Sequence, residues 1–416
     1  MQKIYIVGVG MTPFTRHPDL SVKQLTQDAV VAALADAGCH AADVRAAFYG
    51  NCAQGYIEGQ HLVRGQVALL PLGFQGIPVI NVENACATAS TALHMAYHYL
   101  RSGACDVAMA VGSDKMYTTD KALRFGIFDS AWDVQTPEQN HRTILELGRD
   151  VAIPQGSVSA SQYSPFMDVY ASWARLYIKK FGITQRQLAV IAAKNRRHAQ
   201  FNERAQFRQV LSVDEVLHAP PITYPLTLPM CSPISDGAAA AILCNEDGLR
   251  RLRLGAGRAV EILASVMRTA TARKGDDLAH HLTRLAASEA YEIAGLGPDD
   301  MDVCEVHDAT AMGELMQSEN LGFCAPGDGG LFAESGATEL GGAIPINPSG
   351  GLEAKGHPIG ATGLGQVFEL VSQLRGECGP RQVSGARLAI QENGGGIWGV
   401  EESVAHIGIY GRSSPS

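Results

Sequence analysis

Residues 33–50, ALADAGCHAADVRAAFYG, and residues 290–307, AYEIAGLGPDDMDVCEVH, lie over each other without a gap. Gly38 falls on Gly295 and Gly50 on His307, each pair 257 positions apart. Both stretches read as the end of a helix, a glycine stop, a short turn and a strand, the order expected where a left-handed glycine closes a helix. A second pair follows the same logic. Residues 79–114, VINVENACATASTALHMAYHYLRSGACDVAMAVGSD, run strand, turn, helix, glycine break, strand; residues 345–396 repeat that order with a longer insertion before the last strand. Repeated element order in ungapped register points to an internal duplication, and alternating strands and helices point to an α/β architecture.

Working outward, the first unit opens with KIYIVGVG (3–10) and the helical SVKQLTQDAVVAALADAG (21–38). The pattern loosens over residues 115–220, where a polar, aromatic-rich stretch precedes two helical ones, and it resumes at CSPISDGAAAAILCN (231–245). The expected organisation is therefore an N-terminal half of residues 1–114 and 221–255, an inserted covering domain of residues 115–220 lying over that half, and a C-terminal half of residues 256–416.

The chain has 416 residues, 46% of them hydrophobic, and a mean hydropathy near zero, enough for two cores. A net charge of −9 with both signs scattered excludes nucleic acid as an expected partner. No apolar run reaches the length of a membrane span. The N-terminal MQKIYIVGVGMTPF reads as a strand and a turn, not as a signal peptide, so the expected compartment is the cytoplasm. Nine cysteines without regular spacing argue against a disulfide framework, and with no CxxC or HExxH no bound metal is expected.

Cys86 stands at the start of one duplicated helix, and His357, in KGHPIGATG, at the start of the other. If a pseudo-twofold axis relates the halves, those helix starts face each other. A helix N-terminus supplies partial positive charge, and an imidazole can take the thiol proton, so Cys86 is a candidate nucleophile. The other eight cysteines read as buried structural thiols.

The motifs NACATAS (84–90), CSPISDGAAA (231–240), VHDAT (306–310), NPSGGLEAKGHPIGATGLGQ (347–366) and ENGGG (392–396) resemble, in order and spacing, those of the thiolase superfamily. The His-Asp pair at 307–308 is similar to that of the sterol-carrier-protein-type and lipid-transfer-protein thiolase-like branch. The resemblance implies a five-layered α-β-α-β-α fold of two duplicated halves with a covering loop domain, a homodimer, and chemistry on acyl-CoA. It implies that Cys86 accepts the acyl group, that His357 takes its proton, and that His307 polarises the second thioester. The amides of Cys86 and Gly394 would form an oxyanion hole, and Asn347, Ser349 and Gly350 would lie beside the pantetheine. CoA and acyl-CoA are implied as substrates, with no permanently bound cofactor and no metal.

The chain departs from the family at the second acid/base thiol. Its two usual positions hold Glu392 and Ala309. Glu392 could be the base with its pKa raised by burial; His307 or His357 could make both proton transfers; or the chain could be a retro-aldolase acting on a β-hydroxyacyl-CoA of steroid or aromatic side-chain degradation. Binding of acyl-CoA without turnover is a further alternative. The basic run 194–208, KNRRHAQFNERAQFR, reads as a solvated helix face, with CoA phosphates as its other reading. The aromatic residues of segment 117–177 read as the covering domain's own core or as an acyl pocket. Some relatives in the branch work with a small subunit carrying a zinc ribbon and an OB-fold, which makes such a partner possible by analogy.

Overall fold

The structure is a computed structural model that describes residues 2–254 and 256–413. Its first half contains β1 (Ile4–Met11), α1 (Val22–Ala37), β2 (Ala46–Gly50), β3 (Val79–Val82), α2 (Thr88–Arg101), β4 (Val107–Asp114) and, after the inserted segment, β5 (Gly237–Asn245). The insertion carries helices α3 (Phe166–Phe181) and α4 (Gln185–Ala199). The second half contains β6 (Val260–Thr269), α5 (Leu282–Ala294), β7 (Val303–Glu305), α6 (Thr362–Arg375), β8 (Leu388–Gly395) and β9 (Val404–Arg412).

Strand order is β3-β2-β4-β5-β1-β6-β9-β8-β7, and it reads as one pattern and its reverse. In the first half β2 runs parallel to β3 and β4, while β5 runs antiparallel to β4 and β1. In the second half β7 runs parallel to β8, and β9 runs antiparallel to β8 and β6. The counterpart of β3 is reduced to a single parallel bridge, Cys304 to Ile346. The half-sheets join only where Tyr5 and Ile6 meet Glu261 and Val260. The quoted repeat holds in detail: α1 and α5 end on Gly38 and Gly295, with φ of 64° and 68°.

Side-chain alternation along the strands builds the layers. Ile4 and Ile6 point into a central core with Leu93 and Leu100 of α2 and Val367 and Leu374 of α6. Tyr5 and Val7 point the other way, into a core shared with Leu25 and Val30 of α1. On the second half-sheet Ile390, Ile407 and Ile409 pack with Ala286 and Ala290 of α5. The result is the expected five layers: α1, sheet, the α2–α6 pair, sheet, α5. Where α2 and α6 cross there is no room for a side chain, because a Cβ on Gly363 would lie 2.0 Å from Ser90 Oγ.

The inserted segment does not lie mainly over the first half. Trp173, Tyr177, Leu188 and Ile191 share a core with Met312, Leu315 and Met316 of the helix Ala311–Asn320, on the second half. The basic run is likewise not a solvated face at its start. Lys194 is 1% exposed, paired with buried Glu314 and donating to Ile346 O at 2.9 Å. The apolar side of α4 is the side docked on the second half, so its cation had to be neutralised there.

The crossing of α2 and α6 yields a direct test. Gly363→Ala should lower the unfolding free energy by about 1–3 kcal/mol through overpacking, read from urea denaturation. Because the crossing lies within the first turn of both helices, the substitution should also shift Cys86 and His357 relative to each other, seen as a change in the rate of Cys86 alkylation.

Candidate active site

β3 ends in a tight turn, Ala85–Ala87, that feeds α2 and carries Cys86. Ala85 sits at φ 47°, a left-handed conformation rarely held by a residue with a Cβ. The Asn84 amide donates to Thr88 Oγ1 at 2.8 Å, closing the turn. The end of β8 lies directly against it. A Cβ on Gly395 would be 2.5 Å from Asn84 O and 3.0 Å from the Cys86 nitrogen, so the ENGGG glycines are there for close approach of two backbones. Gly394 instead faces the Glu402 side chain.

His357 sits in the loop before α6, pinned at both ends. Its amide donates to Ser235 Oγ at 3.0 Å, and three residues on the Gly360 amide donates to Asp114 at 2.6 Å. Asp114 also accepts from the Ala53 amide and from Asn51 Nδ2, yet burial still pushes its pKa up to about 7. The His357 Nδ1 lies 2.6 Å from Thr362 Oγ1. The Thr362 hydroxyl gives its only hydrogen to Pro358 O, so it must accept from Nδ1–H. That assignment leaves Nε2 with a free lone pair. Burial, then the His307 ring and Lys355, push the His357 pKa well below that of a free imidazole, so it rests neutral and able to accept a proton.

His307 follows β7, its ring centroid 5.3 Å from that of His357. Its amide donates to Glu392 Oε2 at 2.9 Å. Its Nδ1 lies 3.5 Å from the Tyr170 hydroxyl and 4.0 Å from Glu402 Oε1, while Nε2 has no partner. One donor atom from each of Cys86, His307 and His357 lies within 4.8 Å of the other two. These three residues, separated by up to 271 positions in the sequence, converge on one wall of a cavity of about 540 Å3.

Cys86 is 9% exposed. Burial, helped by the negative charges of Glu402 and Asp114, pushes its pKa up to about 12. The thiol therefore rests protonated. A neutral imidazole with a donor atom within 4.8 Å offers that proton an acceptor.

Other expected site residues stand elsewhere. Glu392 is fully buried, its carboxyl turned to the His307 amide and absent from the cavity wall; burial and Glu402 hold its pKa well above the usual carboxylate range. Asn347, at φ 54°, accepts from the Val306 amide and donates to Glu314. Ser349 bonds Glu305 through amide and hydroxyl, and Gly350 packs on Ala199. None of these three lines the cavity: they form the scaffold beneath His307. The aromatic segment divides. Phe125, Phe128, Tyr163, Phe166 and Tyr170 line the cavity, whereas Trp173 and Tyr177 belong to the core of the insertion. Arg196, stacked 4.3 Å over Phe207, lines it too.

The family models agree with this geometry: the thiolase N-terminal domain matches residues 4–216 and the thiolase C-terminal domain-like model matches residues 264–407. The chain belongs to the thiolase family. Among curated thiolase relatives, it is 37% identical to sterol carrier protein 2 of Oryctolagus cuniculus over 94% of this chain and 70% of that protein. It is 36% identical to acetyl-CoA acetyltransferase of Methanothermobacter thermautotrophicus over 99% of this chain and the whole of that one. The solved structure of the Ltp2-ChsH2(DUF35) aldolase superposes with a TM-score of 0.77 over 99% of this chain and 98% of that one, at 20% identity, which shows a shared fold. Thiolases are acyltransferases, and this chain is one of them. No helix among the described residues is long and apolar enough to cross a membrane.

Sequence reading missed Glu402, Thr362, Ser235 and Cys231. Glu402 lies in the short connection GIWGVEES (396–403) between β8 and β9, with no local mark of a buried carboxylate. Thr362 did carry a signal, one helical turn beyond His357. Cys231, read as structural, lines the cavity on the segment whose next amide, Ser232, donates to Ala309 O at 2.9 Å.

A thiol held at about 12 predicts a pH response. Alkylation of Cys86 by iodoacetamide, followed by mass spectrometry, should accelerate continuously from pH 7 to 10 without levelling, since the thiolate fraction still grows there. Glu402→Gln removes a negative charge that opposes ionisation, so at pH 8 it should speed alkylation by at least about threefold.

Proposed function

We propose that this chain makes or cleaves the carbon–carbon bond of a 3-oxoacyl-CoA through an acyl-enzyme on Cys86. The convergence of Cys86, His307 and His357 at the cavity wall carries this reading. His357 Nε2 takes the thiol proton while the sulfur attacks the thioester carbonyl. The oxyanion forms beside the Cys86 amide at the helix start, with the Gly394 amide as the second donor, each worth about 2.7–4 kcal/mol. The leaving CoA thiolate recovers the proton from His357.

For the carbon nucleophile, the Tyr170 hydroxyl donating to His307 Nδ1 leaves hydrogen on Nε2, which then faces the thioester oxygen as its charge grows. With no sulfur at positions 309 and 392 and the Glu392 carboxyl engaged elsewhere, the two imidazoles carry the proton traffic. The cavity exceeds what an acetyl group needs, and Phe125, Phe128 and Phe166 suit a bulky acyl chain. Arg16, Arg124 and Arg196 on its wall suit the phosphates of CoA. Residues 115–220 act in this reading as the covering domain between the halves 1–114 with 221–255 and 256–416. A homodimer is proposed through β3, which pairs on one side only, beside the exposed Leu62 and Val63. The partner seen with the Ltp2 aldolase motivates a small zinc-ribbon and OB-fold subunit here too. Purification of the untagged protein as an active homodimer alone would remove that second proposal.

The missing second thiol supports one other reading, retro-aldol cleavage of a β-hydroxyacyl-CoA, which needs a base and no acyl-enzyme. Intact mass spectrometry after incubation with an acyl-CoA panel separates the two. Acyl transfer gives an adduct on Cys86 that Cys86→Ala abolishes, and His357→Asn should lower kcat by about 10²–10⁴-fold. An aldehyde or ketone released from a β-hydroxyacyl-CoA, with no adduct and undiminished turnover in Cys86→Ala, overturns the acyl-enzyme.

A further inference from the structure

We propose that Cys86, His307 and His357 also form a site for a soft divalent cation, zinc above all, and that its occupation blocks acylation of the thiol. One thiolate and two imidazoles with a fourth position open to a cavity form a ligand set suited to zinc in an accessible site. The three donor atoms already lie within 4.8 Å of one another. Tetrahedral zinc, with bonds of about 2.0–2.3 Å, separates its donors by about 3.3–3.6 Å. Closing the set therefore takes about 1 Å, within reach of side-chain torsions.

Two further observations point to a ligand. The first is that His307 is 3% exposed and its Nε2 has no partner, leaving a buried polar atom unsatisfied in a cluster whose three donors already approach one another. The second is that the other nitrogen of each imidazole has an oxygen near it, tightly bonded at His357 and at longer range at His307. Thr362 Oγ1 accepts from His357 Nδ1, which fixes Nε2 as the coordinating atom. Glu402 Oε1 and the Tyr170 hydroxyl stand at His307 Nδ1, 4.0 and 3.5 Å away, ready to accept Nδ1–H once Nε2 binds metal. Such outer partners orient metal-bound histidines and strengthen them as ligands. All three ligands sit on fixed backbone: a helix start, a strand end, and a loop tied by Ser235 and Asp114.

The chemistry balances without redox change. Zn2+ bonds to the Cys86 sulfur and to two neutral imidazoles, and the thiol proton passes to solvent, so affinity rises with pH. A zinc-bound sulfur cannot attack a thioester, and an acylated sulfur cannot bind zinc. The two occupants exclude each other.

The test is a titration of metal-free protein with zinc against a chromophoric chelator, beside a cobalt titration read by absorbance. The wild type should bind one zinc per chain and show a thiolate-to-cobalt charge-transfer band. Cys86→Ala and His307→Asn should each lose at least about 100-fold in affinity, and Cys86→Ala should lose the band. Thermal unfolding in metal-free buffer checks that both variants fold. His98→Ala, in the separate group of His94, His98 and His406, should bind as the wild type does. A wild type that binds no zinc overturns the proposal, as does folded Cys86→Ala that binds zinc undiminished. Binding is read without turnover, so failure here leaves acyl transfer standing, and a missing acyl-enzyme leaves the metal site standing.

Discussion

Everything at this site depends on how closely two helix starts can be brought together. α2 and α6 belong to different halves of a duplicated chain, and a reactive side chain stands just ahead of each, Cys86 in the turn before α2 and His357 in the loop before α6. They cross where Gly363 presents only hydrogen to Ser90, and Ser90 Oγ in turn bonds Asn393 Oδ1 at 2.7 Å. Gln391 spans the same crossing, donating to Ser90 Oγ and to Gly363 O. A methyl group at the crossing would wedge the halves apart, and the sulfur and imidazole would separate with them. Packing in the middle layer thus sets a distance on which proton transfer depends.

Within that frame the electrostatics are those of a resting, uncharged pair. Burial disfavours the thiolate and the imidazolium alike. A permanent ion pair would be costly in so buried a place, whereas in the proposed reaction the proton moves only during attack, and charge forms beside the donors. Glu402 sharpens the effect by opposing early ionisation of Cys86.

The duplication was legible because the turn chemistry repeats: a left-handed glycine must close both helices, and Gly38 and Gly295 do so in register. Cys86, His307 and His357 were legible from motif and from the symmetry of the halves. Asn347, Ser349 and Gly350, expected beside the pantetheine, do not line the cavity; the positive φ of Asn347 and the bonds from Ser349 to Glu305 hold the loop itself. Lys194 looked solvated because a charge on a helix usually is. Its partner Glu314 comes from 120 positions away, a pairing no local pattern carries. Glu402 failed for the same reason, since its neighbours His307 and Gly394 are close only after folding.

The insertion contributes Phe125, Phe128, Phe166 and Tyr170 to the cavity wall, beside Arg124 and Arg196. Rings at that position do more than shape a substrate. In the proposed acyl-enzyme, apolar rings beside the sulfur would slow attack by water until a carbon or thiol acceptor arrives. On that reading, the balance of transfer against hydrolysis would be set by the aromatic roof as much as by the thiol and imidazoles below it.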